Sequence, residues 1–443
     1  MRVAFFEDEH VANFSPIALL RPVFELVCGR FSLRERVVRL LDVADWGAFL
    51  RPELARCYTE EQPEAAVNDH AWLRRGTTLL INGRWLPSRE VLERIQPEEV
   101  GLVDGEIAFL TLDPEEAVLF EGQDFSIAAA RLARARRPVE AGGRMVRYPW
   151  ELVDCNAAQL AADFRWRREN GDRSIFPAGR GDERESTGGK MDQSPHSQVA
   201  ILGSPDDVFI HPTAQIDPFV VLDARRGPIS IDAGAVIQPF TRIEGPCHIG
   251  CGSRLFRANV REGTTIGPNC RVGGEIEASI LHGFVNKYHD GFLGHSYVCP
   301  WVNLGAMTTN SDLKNDYSPV SVPIDGETID TGSTKVGCFI GDHSKTALGS
   351  LFNTGSTFGV MCMVLPAGEL LPKYVPSFTR IWHGVPDDGL DLEAALETAR
   401  TAMGRRDMRL TAAQEELLRH LHEQTQPDRD AAIARFREKF ATV

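Results

Sequence analysis

Lys287 and His289 stand two apart in the most polar stretch of an otherwise apolar repeat, GEIEASILHGFVNKYHDGFLG from Gly274 to Gly294. Val302-Asn303-Leu-Gly-Ala306 and Thr308-Thr309-Asn310 follow it. Imidazole is the side chain that ordinarily changes charge near neutral pH, so His289 could take a proton from a reacting group. A solvated histidine at a turn is the plainer reading for most of the twelve histidines. His282 and His295 are read that way, and Asn303 is equally at home in a turn. Downstream, His343 and Lys345 suit a phosphate contact and an ordinary surface pair about equally. Spacing alone assigns none of these residues a role.

The scaffold that must hold them repeats every six residues, beginning with Ile210 and Ile216. Ile231, Ile237, Ile243, Ile249 and Leu255 continue the series, and after a one-residue slip come Val260, Ile266 and Val272. Phe292, Val298 and Leu304 follow, then Ile340, Thr346, Phe352, Phe358 and Val364. This spacing is not helical. It fits a three-sided coil in which each face is one short strand and each apolar residue points inward. Gly, Asn and Asp in Ile249-Gly-Cys-Gly-Ser, Ile266-Gly-Pro-Asn-Cys and Ile340-Gly-Asp-His-Ser tolerate the corner conformations. The prediction is a left-handed parallel β-helix over 201–376; a sandwich, with strands eight to twelve apart, fits poorly. Two breaks interrupt it. Ala224 to Pro228 is short, while Ser311 to Val336 is a long excursion expected to form a surface loop that completes a binding site.

Residues 1–172 predict an α/β domain, a sheet flanked by helices. Strands are expected at Val3–Phe6, Thr78–Asn82 and Ile107–Leu112. One helix should follow the capping box Ser32-Leu-Arg-Glu35, and another should span Ala157–Glu169 with Asn156 as its cap. Residues 173–200 hold almost no apolar side chain and predict a disordered linker. After Pro376 the chain predicts a helical tail, 377–443, in which Leu392, Leu396, Ala399 and Met403 share a face and Thr411-Ala-Ala-Gln414 is a capping box.

A chain of 443 residues suits two domains. Its apolar residues are dispersed, and neither a membrane span nor a basic patch leading into an apolar leader is visible, so a cytoplasmic location is expected. Nine cysteines without a CxxC pair suggest no disulfide framework or structural zinc site, and reduced, mostly buried thiols are expected. With 48 basic against 62 acidic residues the net charge is −14, which argues against nucleic acid or an anionic membrane as partner. An anionic small substrate would need a local basic pocket.

Four blocks carry a resemblance: NKYHDGFLG from Asn286, NLGAMTTNSDLKNDY from Asn303, GDHSK from Gly341 and LFNTG from Leu351. They resemble the acyltransferase half of the bifunctional N-acetylglucosamine-1-phosphate uridyltransferase/glucosamine-1-phosphate acetyltransferase family. They are closer still to a divergent bacterial branch of sugar nucleotidyltransferases with a hexapeptide-repeat C-terminal domain. Leu20-Arg21-Pro22-Val23, Ile81-Asn82-Gly83-Arg84 and Tyr148-Pro149-Trp150 extend the likeness to roughly residues 1–385.

The resemblance implies transfer of an acyl group, in this family acetyl, from acetyl-CoA to an amino sugar phosphate. His289 would be the general base. Lys287, Asn303, Asn310 and Arg271 would hold the substrate, a backbone N–H near Ala306 would stabilise the thioester oxyanion, and His343 and Lys345 would meet the coenzyme. It further implies a nucleotidyltransferase-like (Rossmann-like) N-terminal domain that handles a nucleoside triphosphate, with Arg21, Asn82 and Arg84 at the nucleotide and Mg2+ as an available cofactor; no metal ligand is assigned. Such prisms pack side by side, so a homotrimer is expected.

Departures bear on the substrate. Phe292 replaces the family's Tyr three after the histidine. Glu277 stands where a sugar-phosphate lysine is expected, so Lys287, Arg261 or Arg271 must replace that cation, or the acceptor is not a sugar phosphate. In the N-terminal half, Glu7-Asp8-Glu9-His10 replaces the family's glycine-rich phosphate loop. Three carboxylates there would repel a triphosphate unless they held magnesium, while Arg21 could grip phosphate as a fork. Asn82 and Arg84 replace the metal-binding Gly-Asp pair. Two alternatives to an acyltransferase therefore stand: a nucleotidyltransferase whose β-helix only assembles or regulates it, and a non-catalytic sugar-nucleotide-binding scaffold.

Overall fold

The computed structural model describes residues 2–169 and 198–441. Nearly all of the expected linker lies outside them; its last residue, Ala200, already begins the strand Ala200–Leu202. Two compact units divide the chain. One comprises Met1–Val27, Phe31–Glu151 and Met408–Gln424, the other Cys28–Arg30, Leu152–Asp407 and Thr425–Val443.

The first unit is an α/β fold. Its seven-stranded sheet runs Arg137–Glu140, Glu99–Val103, Glu106–Leu112, Thr78–Asn82, Arg2–Phe6, Trp46–Phe49 and Ala66–Val67. Arg2–Phe6 is parallel to both its neighbours, whereas Glu106–Leu112 is antiparallel to both of its own. Ala4, Phe6, Leu80, Leu110 and Phe120 share one core, each large side chain worth roughly 1.5–3 kcal/mol of burial. Thr78–Asn82 is buried along its whole length, as a strand covered on both faces must be. The helix Leu33–Leu41 starts at the predicted Ser32/Glu35 capping box, and Ala412–Gln424 starts at the Thr411/Gln414 box.

The second unit is built on a parallel β-helix. Ile237, Leu255, Val272 and Lys287 are partners in successive strands, and Leu304, Thr346, Val364 and Ile381 continue in the same way. Most of these side chains fill the prism, which is why the six-residue period is visible in the sequence. The period slips where strands bend across a corner. Ile276, Leu281 and Leu293 are among the buried residues after Val272. Phe292, expected inward, pairs with Glu275 on the outer side while Leu293 pairs with Ile276. Corners are turned by left-handed residues such as Phe240, Asn269, Phe284, Trp301 and His343.

The excursion after Asn310 folds into the antiparallel hairpin Ser321–Ile324/Glu327–Asp330. Coils continue past the expected end at 376, since Arg380–Trp382 adds a further strand and Val385–Asp387 folds back on it. The helix Leu392–Gly404 follows, with Ala395, Leu396, Ala399 and Met403 buried. Upstream, the helix expected to begin at Asn156 starts at Pro149. Asn156 is therefore no cap. It is fully buried, accepts the Gly29 N–H at 2.6 Å and donates to the Gly263 carbonyl at 2.7 Å. No helix among the described residues is long and apolar enough to cross a membrane. Seven of the nine free cysteines are buried and Cys251 is exposed.

Candidate functional site

Lys287 takes an inward place in the β-helix, where its neighbours in register are apolar. The residue is 2% exposed, and its ammonium donates to the carbonyls of Gly273 at 2.9 Å and His289 at 2.8 Å. Burial brings its pKa down to about 8. Gly274 (φ +72) leaves it room, because a Cβ there would stand 2.8 Å from the ammonium nitrogen. Lys287 thus braces the corner from inside and does not reach a substrate outside.

His289 lies at that corner and is exposed, its ring against that of Tyr288 with centroids 4.8 Å apart. Asn286 pairs in register with Asn303, and the Met307 N–H reaches the Asp290 carbonyl at 2.8 Å, so the corner of one coil lies over that of the next. His289 and Ala306 each come three residues after Asn286 and Asn303, at equivalent places in successive coils. The Ala306 carbonyl accepts the Gly349 N–H at 2.8 Å. Its own N–H makes no hydrogen bond among the described residues, which leaves a donor at the next corner.

An outer column brings other expected residues together. Arg254, Arg271, Asn286, Asn303 and Lys345 are successive partners on one face, and the Asn286 amide donates to the Asn303 side chain. Arg271 donates through Nη1 to the carbonyls of Gly252 and Cys270 at 3.2 and 2.9 Å. Lys345 donates to the His343 carbonyl at 3.0 Å, and burial lowers its pKa to about 8. The His343 ring stacks on Trp301 with centroids 6.1 Å apart. Asn310 is 2% exposed, and its amide is spent on Gly294, accepting from the N–H at 2.8 Å and donating to the carbonyl at 3.0 Å.

Glu277 is not a lone negative charge. It bridges Arg261 at 2.6 Å and Lys335 at 3.2 Å. Beside it lies a pair that sequence reasoning missed. His295, read as a corner histidine, points Nδ1 at Asp312 Oδ2, 2.7 Å away, and both are largely buried. Burial would raise the Asp312 pKa, but the hydrogen bond and charge of His295, together with Lys335, hold it below the usual carboxylate value. A carboxylate on one ring nitrogen fixes the tautomer and frees the other nitrogen to act as a base. The only sequence signal was Asp312 inside the NSDLKN block, 17 residues away.

In the first unit the acidic loop is neutralised internally. Glu7 accepts from the Arg51 guanidinium at 3.0 Å and from the Val23 N–H at 2.9 Å. Asp8 accepts from Arg84 Nε at 2.8 Å, from Arg84 Nη2 at 2.6 Å and from the Asn82 amide at 2.8 Å. Burial alone would raise the Asp8 pKa; Arg84 outweighs it and keeps the pKa below the ordinary value. Arg84, 1% exposed, also meets Glu106 and the Val146 carbonyl. Asn82 and Arg84 are thereby committed inside the protein, while Arg21, half-buried, donates to the Ile17 carbonyl at 2.8 Å. These carboxylates do not fit a magnesium site: their oxygens already hold arginine, asparagine and backbone donors. No group of three or more His, Cys, Asp or Glu among the described residues is arranged to hold a metal ion.

Residues 3–171 match the family model described as sugar nucleotidyl transferase. The bifunctional protein GlmU of Jannaschia sp. (strain CCS1) is 33% identical over 105 residues, which is 23% of this chain and 22% of its own length. The uncharacterized acetyltransferase YaiX of Escherichia coli O6:K15:H31 is 29% identical over 162 residues, 36% of this chain and 65% of its own. A bifunctional sugar-1-phosphate nucleotidylyltransferase/acetyltransferase of Sulfurisphaera tokodaii is 30% identical over 92 residues, 21% and 23% respectively. The chain spans less than two thirds of the length of each of these relatives. The motif resemblance to the bifunctional family and the family-model match point the same way.

Proposed function

We propose that this chain is a transferase of sugar-nucleotide biosynthesis whose β-helix passes an acetyl group from acetyl-CoA to the amine of an amino sugar phosphate, in a pathway of the UDP-N-acetylglucosamine type. The observation that carries this reading is that exposed His289 and Ala306, whose N–H is unengaged among the described residues, hold equivalent places in successive coils, each three residues on from the paired Asn286 and Asn303. The amine nitrogen adds to the thioester carbon while His289 takes its proton. The Ala306 N–H stabilises the oxygen that gains charge, the C–S bond breaks, and the thiolate leaves with that proton. Asn303 orients the sugar, and Lys345 and His343 meet the coenzyme. A cytoplasmic homotrimer is part of the proposal.

One observation favours a second candidate for the base. His295 is oriented by Asp312, whereas among the described residues no carboxylate holds His289. For the first unit we propose nucleotidyl transfer to a sugar-1-phosphate, supported by the family match over residues 3–171. Arg21 is proposed as its phosphate contact by the resemblance of Leu20-Arg21-Pro22, while Asn82 and Arg84 are engaged by Asp8.

The test is thiol release from acetyl-CoA with glucosamine-1-phosphate as acceptor. Release that disappears in His289→Ala supports the reading. Release that is unchanged in that variant removes His289 from the chemistry. Pyrophosphate release from UTP or dTTP with a sugar-1-phosphate tests the first unit separately.

A further inference from the structure

The long excursion in the repeat forms part of a feature that the proposed reaction does not use. In the second unit the hairpin Ser321–Ile324/Glu327–Asp330, the last coils of the β-helix and the helix Gln426–Ala441 enclose a cleft of ≈ 800 Å3. None of His289, Asn303, Ala306, His343 and Lys345 lines it. Its volume falls in the range of small-molecule sites, roughly 300–1,000 Å3.

Its walls combine two kinds of surface. Leu370 and Val385, 60% and 48% exposed, line it together with Phe436 of the helix. Single apolar residues at a surface are ordinary, but three in one concavity make an apolar wall. At Gly384 (φ +77) a Cβ would stand 2.9 Å from the Ala367 Cβ, so glycine lets the turn before Val385 come this near. The polar groups, by contrast, are short of partners. The Lys373 ammonium donates to the Ser321 carbonyl at 2.8 Å, and nearby Lys314 donates to the Pro319 carbonyl and the Ser318 hydroxyl; neither makes an ion pair among the described residues. Burial lowers the Lys373 pKa, and repulsion from Lys314 lowers it further. Like charges gathered in a half-buried place cost stability until an anion joins them. Asn353 spends its side-chain oxygen on the Thr354 N–H at 2.8 Å, while its amide nitrogen and the Tyr374 hydroxyl make no hydrogen bond among the described residues. Burial pushes the Tyr374 phenol up, Asp428 and Asp325 add to this and Arg435 opposes it, so the hydroxyl stays a donor. Arg435 adds a second cation to the lining against one acid, Glu369.

We infer that this cleft binds a small amphiphilic carboxylate, its head on Lys373, the Asn353 amide and the Tyr374 hydroxyl and its apolar body along Leu370, Val385 and Phe436. An ammonium and two neutral donors suit a carboxylate, whose oxygens only accept, and hydrogen bonds to a charged group are the stronger kind. A neutral lipid would leave Lys373 and Lys314 uncompensated, and a compact anion would leave the apolar wall in water. The inference stands on the cleft and does not depend on acyl transfer. It also gives the hairpin a role, because the Ser321 carbonyl holds the Lys373 ammonium and Pro323 and Thr328 complete the wall.

The experiment is calorimetric titration of the full chain with octanoate, repeated for Lys373→Gln, Leu370→Asn and Ile127→Asn. Leu370 is exposed, so its variant should fold even where loss of Lys373 loosens the hairpin, and circular dichroism checks both. Ile127, 62% exposed in the first unit, is a control of equal chemistry elsewhere. The unaltered chain and Ile127→Asn should bind octanoate alike and saturably, with affinity weakened at least tenfold in Lys373→Gln and in Leu370→Asn. No saturable binding by the unaltered chain, or equal affinity in Leu370→Asn and Ile127→Asn, would overturn the site. Octyl glucoside, with the same chain and no charge, and acetate, with the head alone, should each bind at least tenfold more weakly than octanoate. Octyl glucoside binding as tightly would overturn the carboxylate, and acetate binding as tightly would overturn the apolar body. Thiol release from acetyl-CoA is measured without octanoate, so a failure there leaves this result standing.

Discussion

The ammonium of Lys287 donates to the carbonyl of His289 at 2.8 Å, from inside the coil to its corner. A buried lysine that holds the backbone of an exposed histidine ties the position of that corner to the lysine's charge. Its pKa of about 8 against the ordinary 10.5 means that the folded chain releases this proton before the unfolded chain does. Below pH 8 both states are charged, and the cost of burying the charge is fully present. From pH 8 to 10.5 the unfolded state binds more protons, so this group's contribution to stability rises with pH. Lys287→Met lacks that term. In chemical denaturation the stability of the unaltered chain relative to the variant should therefore rise by on the order of 3 kcal/mol across this window. A difference that does not vary with pH would mean that Lys287 is not buried as a charge.

His248 makes a prediction of the same sign in acid. It is 4% exposed, with Nδ1 on Ser230 at 2.9 Å and Nε2 3.7 Å from Asp232. Burial pushes its pKa down to about 4; Asp232 opposes the shift, and Arg30 and Arg167 add to it. As pH falls through 6.5 the unfolded chain takes a proton that the folded chain refuses, so stability drops until about pH 4, by roughly 3 kcal/mol. His248→Asn should flatten the stability curve in that interval. An equally steep curve in the variant would assign the acid sensitivity to other groups.

The period of six was legible because one side chain per strand must enter the prism, and the N-terminal sheet was legible because its central strands are apolar runs. What escaped depends on coil length. Phe292 and Leu293 exchange places because the intervals from Val272 to Ile276 and Leu281 are shorter than six. His295 meets Asp312 only because one turn of this coil takes 17 residues. Lys287 was read as a substrate contact because lysine is rarely an inward residue. Asn156 looked like a cap because nothing local distinguishes a capping asparagine from one that binds Gly29 and Gly263. The acidic loop was read as repulsive because Arg51 and Arg84 lie 44 and 76 residues from their partners.

Arg84 follows from that last point. It is fully buried between Asp8 and Glu106, and removing one partner of a buried pair leaves the other uncompensated. Arg84→Met should cost about 3–5 kcal/mol in urea denaturation of the first unit. Acidification should reduce the loss, because Asp8, no longer held low by Arg84, protonates at higher pH. A cost under about 1 kcal/mol would mean that water already screens the pair as it does exposed ones, and Arg84 could then be reassigned to nucleotide.

The choice of base rests on two imidazoles with different surroundings. His289 is open to solvent, and His295 is oriented by Asp312 but stands on another part of the coil. A general base contributes roughly 10²–10⁴-fold to rate. If His289 is the base, His289→Ala lowers the rate of thiol release by that factor at saturating acceptor, and His295→Asn lowers it only a few-fold through the local fold. Asp312→Asn gives the finer discrimination, because it preserves shape while removing the charge that fixes the tautomer of His295. A hundredfold loss in Asp312→Asn, with His289→Ala nearly unchanged, would move the chemistry to the pair. Loss confined to His289→Ala would leave His295 and Asp312 as a brace for the hairpin Ser321–Ile324/Glu327–Asp330 and the cluster of Glu277, Arg261 and Lys335.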